Sequence, residues 1–259
     1  MNDTAAEPTD AQPGPCRPWG FWVTTAIGIA AILAWFAFQL LAVSLTLAAL
    51  GVGSGASDFE LMTLASHALT IAVATIVSMP APIAVIALAA RLAGCTVTEY
   101  LALRMPTRAD LIVGVLIVAV LLPLGDLSSW LSGRDIVPAA VIDAYRSARD
   151  SGIVVLLIVA LVVAAPLMEE ILFRGFLFRG YVNSPLGVAA TILLTSAGWA
   201  VMHIQYEAFY MVQIFVLGCA FGWLRWRSGS TLLIIFLHAL VNAAALTQVA
   251  FLVERAGMQ

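Results

Sequence analysis

Apolar stretches long enough to cross a bilayer recur along almost the whole chain. They lie at about residues 21–50, 62–90, 111–131, 153–181, 187–206, 209–227 and 231–252. About 20 apolar residues in helical conformation span the hydrocarbon core. Within lipid every backbone polar group must be satisfied by the protein itself, so a spanning segment is a helix or part of a closed barrel. These segments show neither period-two alternation nor turn-rich spacing, which leaves helix. Composition agrees: of 259 residues, 62% are hydrophobic and 10% charged, against roughly 45–50% and about 25% in a soluble domain. The reading is an all-α membrane protein, a polytopic transmembrane helix bundle of about seven to eight spans. An eighth span arises if Pro80 and Pro82 split the second segment.

Three regions are expected: a disordered tail over 1–19, rich in Pro, Ala and acid, N-terminal transmembrane helices over 20–94, and a helical core over 95–259. The net charge of −3 carries no nucleic-acid signature, so the partners expected are the lipid bilayer and a substrate, not a nucleic acid. Cys16, Cys95 and Cys219 show no CxxC and no paired spacing and read as packing residues. All twelve basic residues are arginines. With the N-terminus in the cytoplasm, eight fall on the inside (Arg17, Arg91, Arg104, Arg108, Arg174, Arg179, Arg225, Arg227) and four outside (Arg134, Arg146, Arg149, Arg255). The positive-inside bias thus favours a multi-pass cell-membrane protein with a cytoplasmic N-terminus. Residues 96–110 read as an amphipathic connector at the interface, and 137–150 as a short helix on the outer face. Gly218 and Gly222 form a GxxxG that permits close helix packing.

Ionisable residues inside a membrane are costly and commonly face a cavity or a partner. Here they gather in the C-terminal half: Glu169, Glu170 and Arg174 in the fourth segment, His203 and Glu207 at the end of the fifth, His238 and Asn242 in the seventh. Glu170 and Arg174 are i,i+4 and can pair on one helix face, as can His238 and Asn242. Glu169 is rotated by about 100° from Glu170 and can point elsewhere. With a turn near Ser184, Glu169 lies 15 residues before it and His203 19 after it. In an antiparallel hairpin those depths differ by roughly 6 Å at 1.5 Å per residue. The chemistry such a set supports is hydrolysis. A desolvated carboxylate acts as general base, a histidine beside it orients the attacking water, and a second histidine with an asparagine donates to a developing oxyanion.

These residues also carry a resemblance. The stretch Glu169-Glu170-Ile171-Leu172-Phe173-Arg174 matches an EExxxR motif, His203 follows 34 residues after Glu169, and His238 to Asn242 matches HxxxN. Order and spacing resemble the CAAX prenyl protease and bacteriocin-processing (CPBP, or Abi) family of intramembrane proteases, over about residues 95–246. The resemblance implies an intramembrane CAAX-type endopeptidase, glutamate-dependent or metallo-endopeptidase. Glu169 would be the catalytic base, His203 its partner on the water, and His238 and Asn242 the oxyanion pair. Glu170 and Arg174 would shape the site. The family's FxxxH motif reads Trp199-Ala-Val-Met-His203 here, which implies a change of packing with the chemistry kept.

Competing readings are weaker. His67 has no carboxylate near it in sequence and reads as structural. Glu207 reads as a helix-end charge. Asp126 follows a glycine as in presenilin-type aspartyl proteases, but no second intramembrane Asp accompanies it. HExxH is absent. Glu169, His203 and His238 form a two-His, one-carboxylate set of a kind that binds Zn²⁺, yet Asn242 on the His238 face favours an oxyanion role, so no firmly bound cofactor is expected. A peptide or membrane-protein substrate fits the endopeptidase reading. The alternatives are a non-proteolytic membrane scaffold or bacteriocin-immunity factor, and a transporter using Glu169 and His203 as a proton relay. A transporter spreads polar residues along a pathway, whereas here they form one patch.

Overall fold

The computed structural model describes residues 16–52, 57, 64 and 67–256. Among these residues every regular element is helical. The helices are α1 (Phe21–Ala49), α2 (Ala68–Ser78), α3 (Pro80–Leu92), α4 (Val97–Tyr100), α5 (Arg108–Leu131) and α6 (Ala139–Asp150). Then follow α7 (Val154–Val182), α8 (Gly187–Val201), α9 (Ala208–Ser228) and α10 (Thr231–Ala256). Among the described residues six helices are long and apolar enough to cross a membrane: α1, the joined α2–α3, α5, α7, α9 and α10. The chain is therefore a polytopic helical membrane bundle. Large apolar side chains face outward in numbers no soluble protein would tolerate, as with Leu33, Leu116 and Val155 at 63%, 60% and 75% exposure, because lipid takes the place of water there.

Two expectations about the spans are corrected. Pro80 and Pro82 do not split the second segment, whose start lies partly outside the described residues. Met79 keeps helical dihedrals and Pro80 opens the first turn of α3, where its missing N–H costs nothing, so α2 and α3 run on as one span. The fifth segment, expected to reach 206, ends at Val201. After it the N–H groups of His203 and Ile204 bond back to Ala200 and Val201, a tightening turn that closes the helix. Fifteen residues make about 22 Å of helix, short of a core about 30 Å thick. Both stretches read as short or connecting elements contain a helix. Residues 96–110 hold the short α4, capped by the Thr96 hydroxyl, and α6 is a helix that buries Ala144, Tyr145 and Ala148.

The tail and the cysteines are corrected too. Residues 1–15 lie outside the described residues, but 16–19 are docked. The Trp19 indole N–H donates to the Ala89 carbonyl at 3.0 Å and its backbone N–H to the Tyr100 hydroxyl at 3.3 Å. Cys16 and Cys95 form a disulfide, and Cys219 is free. Spacing could not show the pair, because the connection runs through two spanning segments.

Helix α7 is the hub. It has the largest share of buried residues among the six spans, 44% against 11% for α5. Its Leu172, Phe173 and Phe176 pack with Tyr100, Trp199, Phe221, Leu233 and Leu237 in one core. Two stretches of α7 are π-helical, Val159–Ala164 and Ile171–Leu177. Pro166 lies just after the first. A proline offers no N–H to the preceding turn, and a wider turn accommodates the gap.

Candidate active site

Adjacent positions on α7 send their carboxylates to different helices, as the rotation of about 100° between neighbours requires. Glu170 turns toward α10 and Glu169 toward α8. Glu170 and Arg174 are fully buried and His238 is 3% exposed. Arg174 Nη1 donates to Glu170 Oε1 at 2.9 Å, and His238 Nδ1 meets the same oxygen at 2.8 Å. A carboxylate only accepts, so His238 carries its proton on Nδ1 and leaves Nε2 free. Arg174 also donates to the Gly218 carbonyl at 3.3 Å, and Arg225 Nε donates to the Arg174 carbonyl at 2.9 Å. A buried charge is tolerated when paired and hydrogen-bonded. This set meets that condition at Glu170 Oε1, which holds a guanidinium and an imidazole, while Glu170 Oε2 and Arg174 Nε are buried without a hydrogen-bond partner.

Glu169 is half-buried. Its Oε2 accepts from the Trp199 indole N–H at 2.6 Å. His203 Nδ1 lies 2.9 Å from the Trp199 carbonyl. That oxygen can only accept, so His203 too keeps its proton on Nδ1 and presents a bare Nε2. The rings of Trp199 and His238 meet edge-on at 5.1 Å, and those of Trp199 and His203 at 5.5 Å. Trp199 thus stands at the junction of the Glu169–His203 side and the Glu170–Arg174–His238 side.

Asn242 does not bond to His238. Its Nδ2 donates to the Leu161 carbonyl at 2.7 Å. In a π-helical turn that carbonyl would be served by the N–H five residues on. Position 166 is a proline without one, so the asparagine supplies the missing donor. One of its two amide hydrogens remains for other work.

The structure therefore brings Glu170, Arg174 and His238 into direct contact, joins Glu169 and His203 through Trp199, and sets Asn242 one turn further along α10. Sequence reasoning missed three participants. Trp199 was read as packing, although a buried indole N–H commonly finds a partner. Gly218 was read as a packing glycine, and a Cβ there would stand 3.0 Å from Ser196, 3.1 Å from Trp199 and 3.2 Å from Arg174. Tyr206, three residues beyond His203, has its ring 5.8 Å from the imidazole. Burial, and after it the charge of Glu169, holds its phenol above the ordinary value, so it stays a protonated donor. Glu207 pairs with Arg134 at 3.3 Å on the surface, and Asp126 accepts from Gln248 at 2.7 Å. Among the described residues no three His, Cys, Asp or Glu side chains converge to hold a metal ion. Glu169, His203 and His238 each hold a different hydrogen-bond partner: the Trp199 indole, the Trp199 carbonyl and Glu170.

Residues 151–244 match the family model described as type II CAAX prenyl endopeptidase, Rce1-like. The matched segment contains every residue of the two hydrogen-bonded groups above. No curated protein and no solved structure matches the chain.

Proposed function

We propose, from the premise that this core is of the CPBP family, as its Rce1-like match supports, that the protein is an intramembrane endopeptidase in which Glu169 and His203 activate water. The observation that carries the reading is the pair of free acceptors beside Trp199. Glu169 has one oxygen on the indole and one to spare, and His203 presents a bare Nε2. A water between them can give up a proton as its oxygen attacks a peptide carbonyl. The tetrahedral oxyanion is then met by the second amide hydrogen of Asn242 and, in its imidazolium form, by His238 Nε2. Glu170 Oε1 accepts from both Arg174 and His238 and so fixes the orientation of the His238 ring. Arg174 pairs with Glu170 at 2.9 Å and takes no part in bond making. The scheme routes no step through a metal. The substrate is a peptide segment at or within the bilayer.

The test is a comparison of new peptide termini in membranes of cells carrying wild type or Glu169→Gln at equal expression. The glutamine side chain keeps the shape and removes the base. Some termini are expected to vanish in Glu169→Gln, and they name the substrates. Identical termini with an identical phenotype would return the protein to the scaffold reading.

A further inference from the structure

We infer that Trp199 is the positioning residue that holds both members of the water-activating pair, one through its side chain and the other through its main chain. The inference rests on the hydrolytic reading for its purpose and on the structure alone for its geometry.

The side-chain half follows from donor counting. An indole has one N–H and no acceptor. Trp199 is 2% exposed, so that single donor needs a partner inside the protein. It has one in Glu169 Oε2 at 2.6 Å. A bond to a carboxylate is charge-assisted, shorter and stronger than a neutral one. It also removes one oxygen from play, so the remaining oxygen of Glu169 has a defined direction.

The main-chain half follows from the way α8 ends. The last carbonyls of a helix lack intrahelical partners. In a continuing helix the Trp199 carbonyl would receive the N–H of residue 203. That N–H goes to Ala200 instead, at 3.0 Å. The imidazole of His203 turns back and caps the orphaned oxygen at 2.9 Å. The same bond fixes the tautomer that leaves Nε2 bare. Helix termination and histidine orientation are thus one event.

The ring itself has little freedom. The Arg174 guanidinium lies over it at 4.4 Å, a cation–π contact. His238 meets its edge from α10 and Phe221 approaches from α9 at 6.1 Å. Gly218 leaves the space it occupies. A phenylalanine would fill much of this space and keep the main-chain cap, but it would leave Glu169 without its donor. At this position the choice of aromatic is a choice of chemistry.

The experiment uses the full chain, purified in lipid nanodiscs with isotope-labelled indole nitrogens. The Trp199 N–H resonance is identified by its loss in Trp199→Phe. In Glu169→Gln it is expected to move upfield, because the acceptor loses its charge. Trp199→Phe is expected to lower kcat about a hundredfold on a peptide whose cleavage depends on Glu169, with KM little changed, the scale of a small misplacement at a reacting centre. Replacing Trp199 by benzothienylalanine keeps the shape and deletes the N–H, and should match the phenylalanine variant if the bond matters more than the bulk. A resonance that stays put in Glu169→Gln overturns the inference whatever the activity. So does full kcat in the benzothienyl variant. A resonance that moves in a protein that cleaves nothing sinks the hydrolytic reading and leaves Trp199 standing as the anchor of Glu169.

Discussion

Glu169 and Glu170 differ by one position and by almost everything else. Glu170 is fully buried, with a guanidinium and an imidazole on one oxygen. Glu169 is half-buried, with a neutral indole on one oxygen and room at the other. Two carboxylates in unlike surroundings can take unlike roles, and here the one with space beside it is the candidate base. Tyr206 reports on that carboxylate. Its phenol is raised by burial first and by the charge of Glu169 second. An anion nearby disfavours a second anion, so removing the carboxylate must lower the value. In Glu169→Gln, Tyr206 should ionise at lower pH than in wild type, yet still above a free tyrosine because burial remains. A titration of the labelled tyrosine ring carbons measures both. Identical titrations in the two proteins would place Tyr206 out of reach of Glu169. The pairing of Glu170 with Arg174 was legible in the sequence from i,i+4 spacing. The bond from His238 to Glu170 was not, because it joins helices 68 positions apart and rests on a rotation of α10 that no local pattern encodes.

At the level of the helix, Pro166 leaves a gap in the hydrogen bonding of α7 next to its first π-helical stretch. The proline leaves the Leu161 carbonyl without a main-chain donor, and Asn242 reaches across from α10 to serve it. An unpaired buried carbonyl costs about 1–3 kcal/mol, so Asn242→Ala should destabilise the fold by about that much in thermal unfolding. Pro166→Ala restores an N–H at the right register. In that background the cost of Asn242→Ala should shrink, a coupling that a double-mutant cycle isolates. Two independent losses that simply add would mean the asparagine does nothing for α7. The sequence shows the proline and the asparagine plainly. It does not show the π-helical turns, since those follow from packing around α7 and leave no periodic signature of their own. The hairpin arithmetic that set Glu169 and His203 at similar depth assumed a regular helix throughout, and the two residues meet through Trp199 and not directly.

For the molecule as a whole, apolar run length carries most of the architecture, because the bilayer imposes it on any chain that spans it. Long-range pairings are invisible to such signals, and the Cys16–Cys95 bond is the clearest case. It joins the segment before α1 to the turn after α3, with a sequence separation of 79, at the end of the bundle that also carries Arg91 and Arg104. A chain closed into so large a ring runs faster on a denaturing gel without reductant than the open chain does. The arginine bias predicts that this end faces the cytoplasm, a compartment where thiols are kept reduced. Protein trapped with an alkylating agent at the moment of lysis should therefore run open, and mild oxidation of the isolated membranes should close it. A ring already closed at lysis would put that end, and the N-terminus with it, on the far side of the membrane. Two cysteines that look incidental in the sequence thus give the chain a tag-free compass: its gel mobility says which compartment it points to.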